Sequence, residues 1–367
     1  WGAAPAAPPI PVLTGHDMSD ATLQQIGARL PAVAALLRRQ RGRRGEVALL
    51  IDGPALHGEG LQIAARIAAA HDLRLIAPVS VARIAAGRGR PMVERVPYRG
   101  ALAVERLAGL GAVILCGASA PVNFFAYPGQ PGQPLPPGCR VLTLATPDED
   151  TLLALHLLED ALGTTGGIPR LRPACAEAAP ATGPLTLAAL GAVLRAGLPE
   201  GAILIDEAIT SGFTLSPMLA QAAPHDALQL TGGAIGIGLP LSAGAALGAP
   251  GRPVVCLVGD GSALYNLQAL WTQARMRLPV VTVILNNGGY ATLHHEMTAT
   301  GAAPGPIAAA LFDLQAPGLD WPALARGFGV EALSAGTVEG FAAAFRSALS
   351  AGAPVLIDAV LTPTAEG

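Results

Sequence analysis

The chain has 367 residues, 51% of them hydrophobic and only 13% charged, with a formal net charge of −3. That length and apolar content suit two or three units with sizeable cores, and the sparse, balanced charge leaves no footprint for nucleic acid or an anionic membrane surface. All of its basic residues are Arg, and a chain without Lys can be neither a pyridoxal Schiff-base enzyme nor a P-loop nucleotidase.

Residues 1–15 are rich in Ala and Pro and read as a linker-like N-terminus without a basic or apolar leader. Residues 16–167 read as an α/β unit: apolar runs at 47–52, 73–77, 112–116 and 141–145 predict strands, and residues 60–70 predict a helix. Arg38, Arg39, Arg41, Arg43 and Arg44 form one charge run near a predicted helix end, where cations complement the helix dipole. The turn Gly53-Pro-Ala-Leu-His-Gly-Glu-Gly60 follows the first strand. It is not the GxGxxG fingerprint of a dinucleotide site, so nucleotide binding is not expected there.

A Pro/Ala-rich linker is expected over residues 168–184, and a second α/β unit over 185–363, with strands near 203–206, 254–258, 280–285 and 354–358. The stretch 232–248 is uncharged, but its six glycines and Pro240 suit a buried turn and helix better than a membrane span. Cys116, Cys139, Cys175 and Cys256 are scattered and suggest neither zinc nor disulfides. A reducing, cytoplasmic location is the expectation, with no membrane or nucleic-acid partner.

Two turns carry the chemistry. Asp260 and Asn287 each end an apolar strand-like run, and they lie one helical crossover apart. Asp-Gly and Asn-Gly ordinarily signal hairpins. Here, however, Leu264, Leu267, Leu270, Trp271 and Ala274 follow the first, and Tyr290, Leu293 and Met297 follow the second, at helical spacing. Strands joined by such a crossover are parallel and adjacent. Carboxylate and amide therefore emerge side by side at the carboxyl edge, where open α/β sheets bind ligands. One Asp, one Asn and a backbone carbonyl suit Mg2+, which takes the rest of its octahedron from phosphate and water. Gly261 permits close approach of an anion, and N–H groups near Ser262 can receive it.

Gly259-Asp260-Gly261 followed by Asn286-Asn287 resembles the shared signature of the thiamine diphosphate enzymes of the acetolactate synthase and benzoylformate decarboxylase group. The likeness continues through residues 261–272 and through Thr231-Gly-Gly-Ala-Ile-Gly236. It implies a middle domain related to NAD-binding folds, followed by a diphosphate-binding domain. By that resemblance Asp260, Asn287 and the Gly289 carbonyl hold Mg2+. Gly259, Gly261, Ser262, Tyr290 and the Thr210-Ser211 loop line the diphosphate, Ile235 supports the bent cofactor, and the Gly233 carbonyl accepts from its 4′-amino group.

The family's aminopyrimidine-binding domain, with its activating glutamate, has no counterpart in this sequence. The resemblance therefore implies a fragment or one subunit of a split enzyme, inert alone and completed by that domain or subunit, with a dimer or tetramer as the full assembly. FAD is known in parts of the family, but no residue pattern here supports it. The substrate implied is a small 2-oxo acid. Benzoylformate decarboxylases carry a His where this chain has Val122-Asn-Phe-Phe-Ala-Tyr-Pro-Gly129, pyruvate decarboxylases a Glu where it has Leu293, and biosynthetic acetolactate synthases differ around both turns. An acetolactate synthase-like carboligase or decarboxylase is the leading reading. The alternatives are a benzoylformate-type decarboxylase and a non-catalytic cofactor-binding module. His294 and His295 are expected at the surface or in packing, while Glu296 and Glu207 are expected not to replace the missing glutamate.

Overall fold

The computed structural model describes residues 20–40, 45–125, 127, 129–163, 166–175, 182–303 and 305–362. The expected linker 1–15, Arg41, Arg43 and Arg44, and part of the 168–184 segment lie outside the described residues. The first unit contains β1 Val47–Ile51, β2 Arg74–Ala77, β3 Arg83–Ala86, β4 Glu94–Arg95, β5 Ala112–Cys116 and β6 Arg140–Ala145. All but β3 form a parallel sheet in the order β4-β2-β1-β5-β6.

In β1 every residue is buried, as a parallel strand covered on both faces requires. Alternation then divides its contacts. Val47, Leu49 and Ile51 pack with helices Asp20–Gln40, Gly58–Ala70 and Thr151–Leu162, while Ala48 and Leu50 face helix Gly100–Leu107. The helix Thr151–Leu162 is set by local chemistry: Asp150 caps it by accepting from the Leu153 N–H at 2.9 Å, and Gly163 closes it in the left-handed region at φ 62°.

The second unit contains β7 Ile203–Glu207, β8 His225–Gln229, β9 Val254–Gly259, β10 Val280–Asn286, β11 Glu331–Ala335 and β12 Val355–Val360. Its sheet runs β11-β12-β10-β9-β7-β8-β3, parallel except for β3. Val255, Leu257, Val281, Val283 and Leu285 face helices Leu187–Gly197 and Val338–Ser350. Cys256, Val258 and Ile284 face helices Gly238–Gly248 and Trp321–Gly327, including the fully buried Trp321. From β7 the chain moves outward to β8 and then returns to the other side with β9. The gap between β7 and β9 is thus a topological switch point.

The two units are stitched together by a strand that sequence periodicity does not mark. β3 follows β2 in the chain but pairs antiparallel with β8, Arg83 opposite Leu228 through Ala86 opposite His225. Asp226 receives both Arg83 and Arg252, at 3.0 and 2.9 Å. At Gly87, φ is 100° and a Cβ would lie 2.5 Å from the Ala223 carbonyl, so only glycine lets the chain turn that closely against the second unit. Residues 170–172 hydrogen-bond along 89–92, Met92 N–H to Arg170 O at 2.8 Å and Arg172 N–H to Arg90 O at 2.9 Å.

Two local expectations are corrected. The stretch 232–248 is not uniformly buried: residues 231–235 are exposed and the helix begins only at Gly238, because glycines at positive φ delay it. Among the described residues no helix is long and apolar enough to cross a membrane. The helix expected after Gly261 is broken into a single turn, Asp260–Ala263, and a second helix, Ala269–Arg275.

Candidate functional site

Leu285 pairs with Gly259 across β10 and β9, so Asp260 and the Asn286-Asn287 pair leave the sheet together. Asp260 is only 2% exposed. Its Oδ1 accepts from its neighbour Gly261 N–H at 2.8 Å, and its Oδ2 accepts from Gly288 N–H across the gap at 2.7 Å. The 287–289 turn therefore wraps the carboxylate. Burial pushes the Asp260 carboxyl above its ordinary value, and the N–H groups of residues 261 and 287–289 bring it part of the way back.

Asn287 Oδ1 accepts from Gly289 N–H at 3.2 Å, and Asn286 is turned aside, donating to Asp358 Oδ1 at 2.9 Å. A strap from Phe312 to Gln315 holds the turn from outside. Tyr290 N–H donates to Phe312 O and Leu314 N–H to Gly288 O, both at 2.9 Å, and a Cβ on Gly288 would strike the Gln315 side chain. At Gly261 a Cβ would lie 2.4 Å from Tyr290 Cε1. The close approach that this glycine permits is therefore to the Tyr290 ring.

These donors can be tested against a divalent cation with diphosphate. Among the described residues there is no cluster of three or more His, Cys, Asp or Glu side chains fit to hold a metal. A single buried carboxylate, the Asn287 amide and the Gly289 carbonyl must then be completed by oxygens from an anion and water, which is how Mg2+ is held. A carboxylate whose charge is disfavoured by burial also gains most from a nearby cation. The residues fit the group.

The other predicted residues lie on neighbouring turns of the same edge. Thr210 and Ser211 follow β7 after Ile209, which is held at φ 50°, an unusual conformation for a β-branched residue. Ser211 is buried and its carbonyl starts helix Gly212–Leu219. Ile235 stands 40% exposed between Gly233 and Gly236, both at positive φ, and donates its N–H to the Gly233 carbonyl at 3.1 Å. Ser262 is buried beside Asp260.

Sequence reasoning did not foresee what anchors the Gly233–Gly236 turn. Glu207, the last residue of β7, is 1% exposed and accepts from the N–H groups of Gly236 and Gly238, the latter at 2.5 Å. Asn266 completes the clamp by donating to Gly236 O at 2.9 Å. Part of the signal was present, since Glu207 follows the apolar run 202–205 directly after Asp206. His294 and His295 are exposed, His294 edge-on to Phe312 at 5.0 Å, and Glu296 accepts a hydrogen bond from Tyr127 of the first unit.

The same edge is met by aromatics, Phe124, Phe125 and Tyr127 of the 122–129 stretch among them. Phe124 lies over Gly233, its Cζ 2.8 Å from where a Cβ would stand. Tyr98, Phe125, Tyr127 and Phe213 surround it.

The family model for the C-terminal TPP binding domain of thiamine pyrophosphate enzymes matches residues 214–359. The chain is 44% identical over 87% of its length to the acetolactate synthase large subunit-like protein IlvX of Mycobacterium tuberculosis, and 33% identical over 94% to benzoylformate decarboxylase of Pseudomonas aeruginosa. It spans 62% and 67% of those two proteins. A solved structure, the thiamine diphosphate-dependent 4-hydroxybenzoylformate decarboxylase of Rhodococcus jostii RHA1, superposes with a TM-score of 0.75 at 26% identity, covering 97% of this chain and 67% of the other. The chain belongs to the thiamine diphosphate-dependent enzyme family, and it comprises the family's middle and C-terminal cofactor-binding domains.

Proposed function

We propose that this chain holds the diphosphate end of thiamine diphosphate through Mg2+, as the cofactor-binding part of an acetolactate synthase-like 2-oxo acid carboligase or decarboxylase. The observation that carries the reading is the Asp260 carboxylate, buried and wrapped by the 287–289 turn at the carboxyl edge. Asp260, Asn287 and the Gly289 carbonyl would hold the metal. Gly259, Gly261, Ser262, Tyr290, Thr210 and Ser211 would line the diphosphate, with Gly233 and Ile235 against the rings. Thiamine diphosphate, when bound, supplies a nucleophilic carbon for a 2-oxo carbonyl and a sink for the electrons left as CO2 departs.

This chain's residues bind and orient. Glu207 fixes the Gly233–Gly236 turn, and because its carboxylate is committed to backbone N–H groups it cannot also serve the cofactor's ring nitrogen. Activation at that nitrogen would come from an aminopyrimidine-binding domain or subunit, and the complete enzyme would be a homo-oligomer. Calorimetry tests the reading: the protein should bind thiamine diphosphate only with Mg2+, and Asp260→Ala should abolish that binding. Unchanged affinity in the variant removes the assignment.

A further inference from the structure

Arg90 and Arg172 face each other where the segment that follows β3 runs beside the chain leading into the second unit. Pro91 bridges to Leu171 antiparallel, and on either side of that bridge Met92 N–H donates to Arg170 O at 2.8 Å and Arg172 N–H to Arg90 O at 2.9 Å. Gly89 N–H reaches Arg172 O at 3.0 Å. Arg90 therefore stands across from Arg172, and residues opposite each other in an antiparallel pair share a face with Cβ atoms about 5 Å apart. Like charges so placed destabilise the pair.

Neighbouring groups do not relieve that repulsion. The Nε atoms of both Arg90 and Arg172 are buried and have no hydrogen-bond partner, and the side-chain bond that Arg172 does make, from Nη2 to Val93 O at 3.3 Å, is to a neutral carbonyl. Asp226, the carboxylate on adjoining β8, is already taken by Arg83 and Arg252. His225, which opens β8, is 3% exposed and bonded through Nδ1 to Ala223 O at 2.8 Å. Burial holds its imidazole below the ordinary value, and the charges of Arg172 and Arg90 press the same way. Burial also lowers the Arg172 guanidinium, as expected of a cation withdrawn from water without a counter-charge. Both arginines are only partly buried as whole residues, which leaves a small ion a way in. Because β8 is parallel to its neighbour β7, its first residue lies at the amino edge of the sheet, opposite to the edge where Asp260 and Asn287 emerge.

We infer that Arg90 and Arg172 form a phosphate-binding site at the seam between the two units, and that a phosphate dianion between the two guanidinium groups ties residues 87–92 and 170–172 together beside the start of β8. Each Arg presents a planar fork that can bond two oxygens at once. Two such forks side by side suit a tetrahedral group with oxygens toward each and two charges, whereas a single carboxylate would neutralise only one of them. The ligand is inorganic phosphate or the phosphate of a monoester. The consequence for the fold is local: Arg88 N–H already donates to Ala222 O at 2.9 Å, so an ion that steadies the 87–92 segment also steadies its hold on the second unit. None of these residues belongs to the turns assigned to thiamine diphosphate, so the site stands whether or not that assignment does.

Phosphorus NMR and thermal melting test this in the absence of Mg2+ and thiamine diphosphate. Inorganic phosphate and glycerol 3-phosphate are titrated separately at constant ionic strength; at least one should broaden on binding and raise the melting temperature more than chloride does. Arg90→Gln and Arg172→Gln should each weaken that binding about tenfold or more, since each removes charge-assisted hydrogen bonds. Tighter binding of the monoester assigns the site to a phosphorylated small molecule, and tighter binding of the free ion to inorganic phosphate; either result supports the site. In phosphate-free buffer Arg90→Gln should melt no lower than the wild type, because it relieves the repulsion with Arg172. A lower melting temperature there shows that Arg90 is held by the chain itself and overturns the site. Stabilisation by phosphate no greater than by chloride also overturns it, as does binding kept in both glutamine variants. If Mg2+ with thiamine diphosphate then displaces that retained phosphate, the ion sits at the cofactor edge.

Discussion

Replacing Glu207 by Ala tests the idea that a buried carboxylate, rather than the glycines themselves, holds the Gly233–Gly236 turn in place. The side chain is 1% exposed and accepts from the N–H groups of Gly236 and Gly238. A hydrogen bond to a charged group contributes about 1.5–3 kcal/mol, so two give about 3–6 kcal/mol. Removing a buried charge also relieves its desolvation, which leaves a net loss of about 2–4 kcal/mol against a typical total of roughly 5–15. Urea unfolding followed by fluorescence of Trp321, which is buried in the second unit, measures that loss, and calorimetry should show weakened cofactor binding at the same time. Burial raises the Glu207 carboxyl above its ordinary value, with the backbone N–H groups of 236–238 opposing. The folded protein then binds its proton more tightly than the unfolded chain, and stability declines as pH climbs from the unfolded value of about 4.3 through the raised one. Glu207→Gln should flatten that decline. A loss in Glu207→Ala below about 1 kcal/mol, with cofactor affinity unchanged, would refute the reasoning.

Gly236→Ala combines φ 89° with a Cβ only 2.6 Å from Tyr265 Cβ. Strain of about 1–3 kcal/mol should lower the melting temperature, and wild-type melting would contradict it. At Asp226, burial alone would raise the carboxyl, but Arg252 and Arg83 outweigh it and hold it below the usual range. Its stabilisation is present above the unfolded value of about 3.9 and is lost as pH falls through the depressed one. Asp226→Asn should therefore cost about 1–2 kcal/mol at pH 7 and progressively less toward pH 3, and a cost that does not fall on acidification argues against the triad. With pyruvate, thiamine diphosphate and Mg2+, the 367-residue chain alone should release no CO2 over repeated turnovers, because Glu207 is committed to the backbone. Sustained turnover would show that no second glutamate-bearing domain is required.

The sequence by itself determined the strands that are buried on both faces and the turns that end them. An apolar run such as 254–258 or 280–285 satisfies only the middle of a covered parallel sheet, and a polar residue at its end must emerge at the carboxyl edge. That is why Asp260 and Asn287 were legible as neighbours before any contact was known. Tertiary structure decided what has no local period. The sequences of β3, β8 and β11 are short and mixed, and they become strands only because a neighbour offers its edge. It also decided that Asn286 turns to Asp358 and that Glu207 clamps a glycine turn 29 residues away. Tyr98, the adjacent pair Phe124 and Phe125, and Phe213 lie at three separate places in the chain, and no spacing rule relates those places. Pairing of β3 with β8 joins one unit to the other, and that placement sets Phe124 of the first unit beside the Gly233 turn.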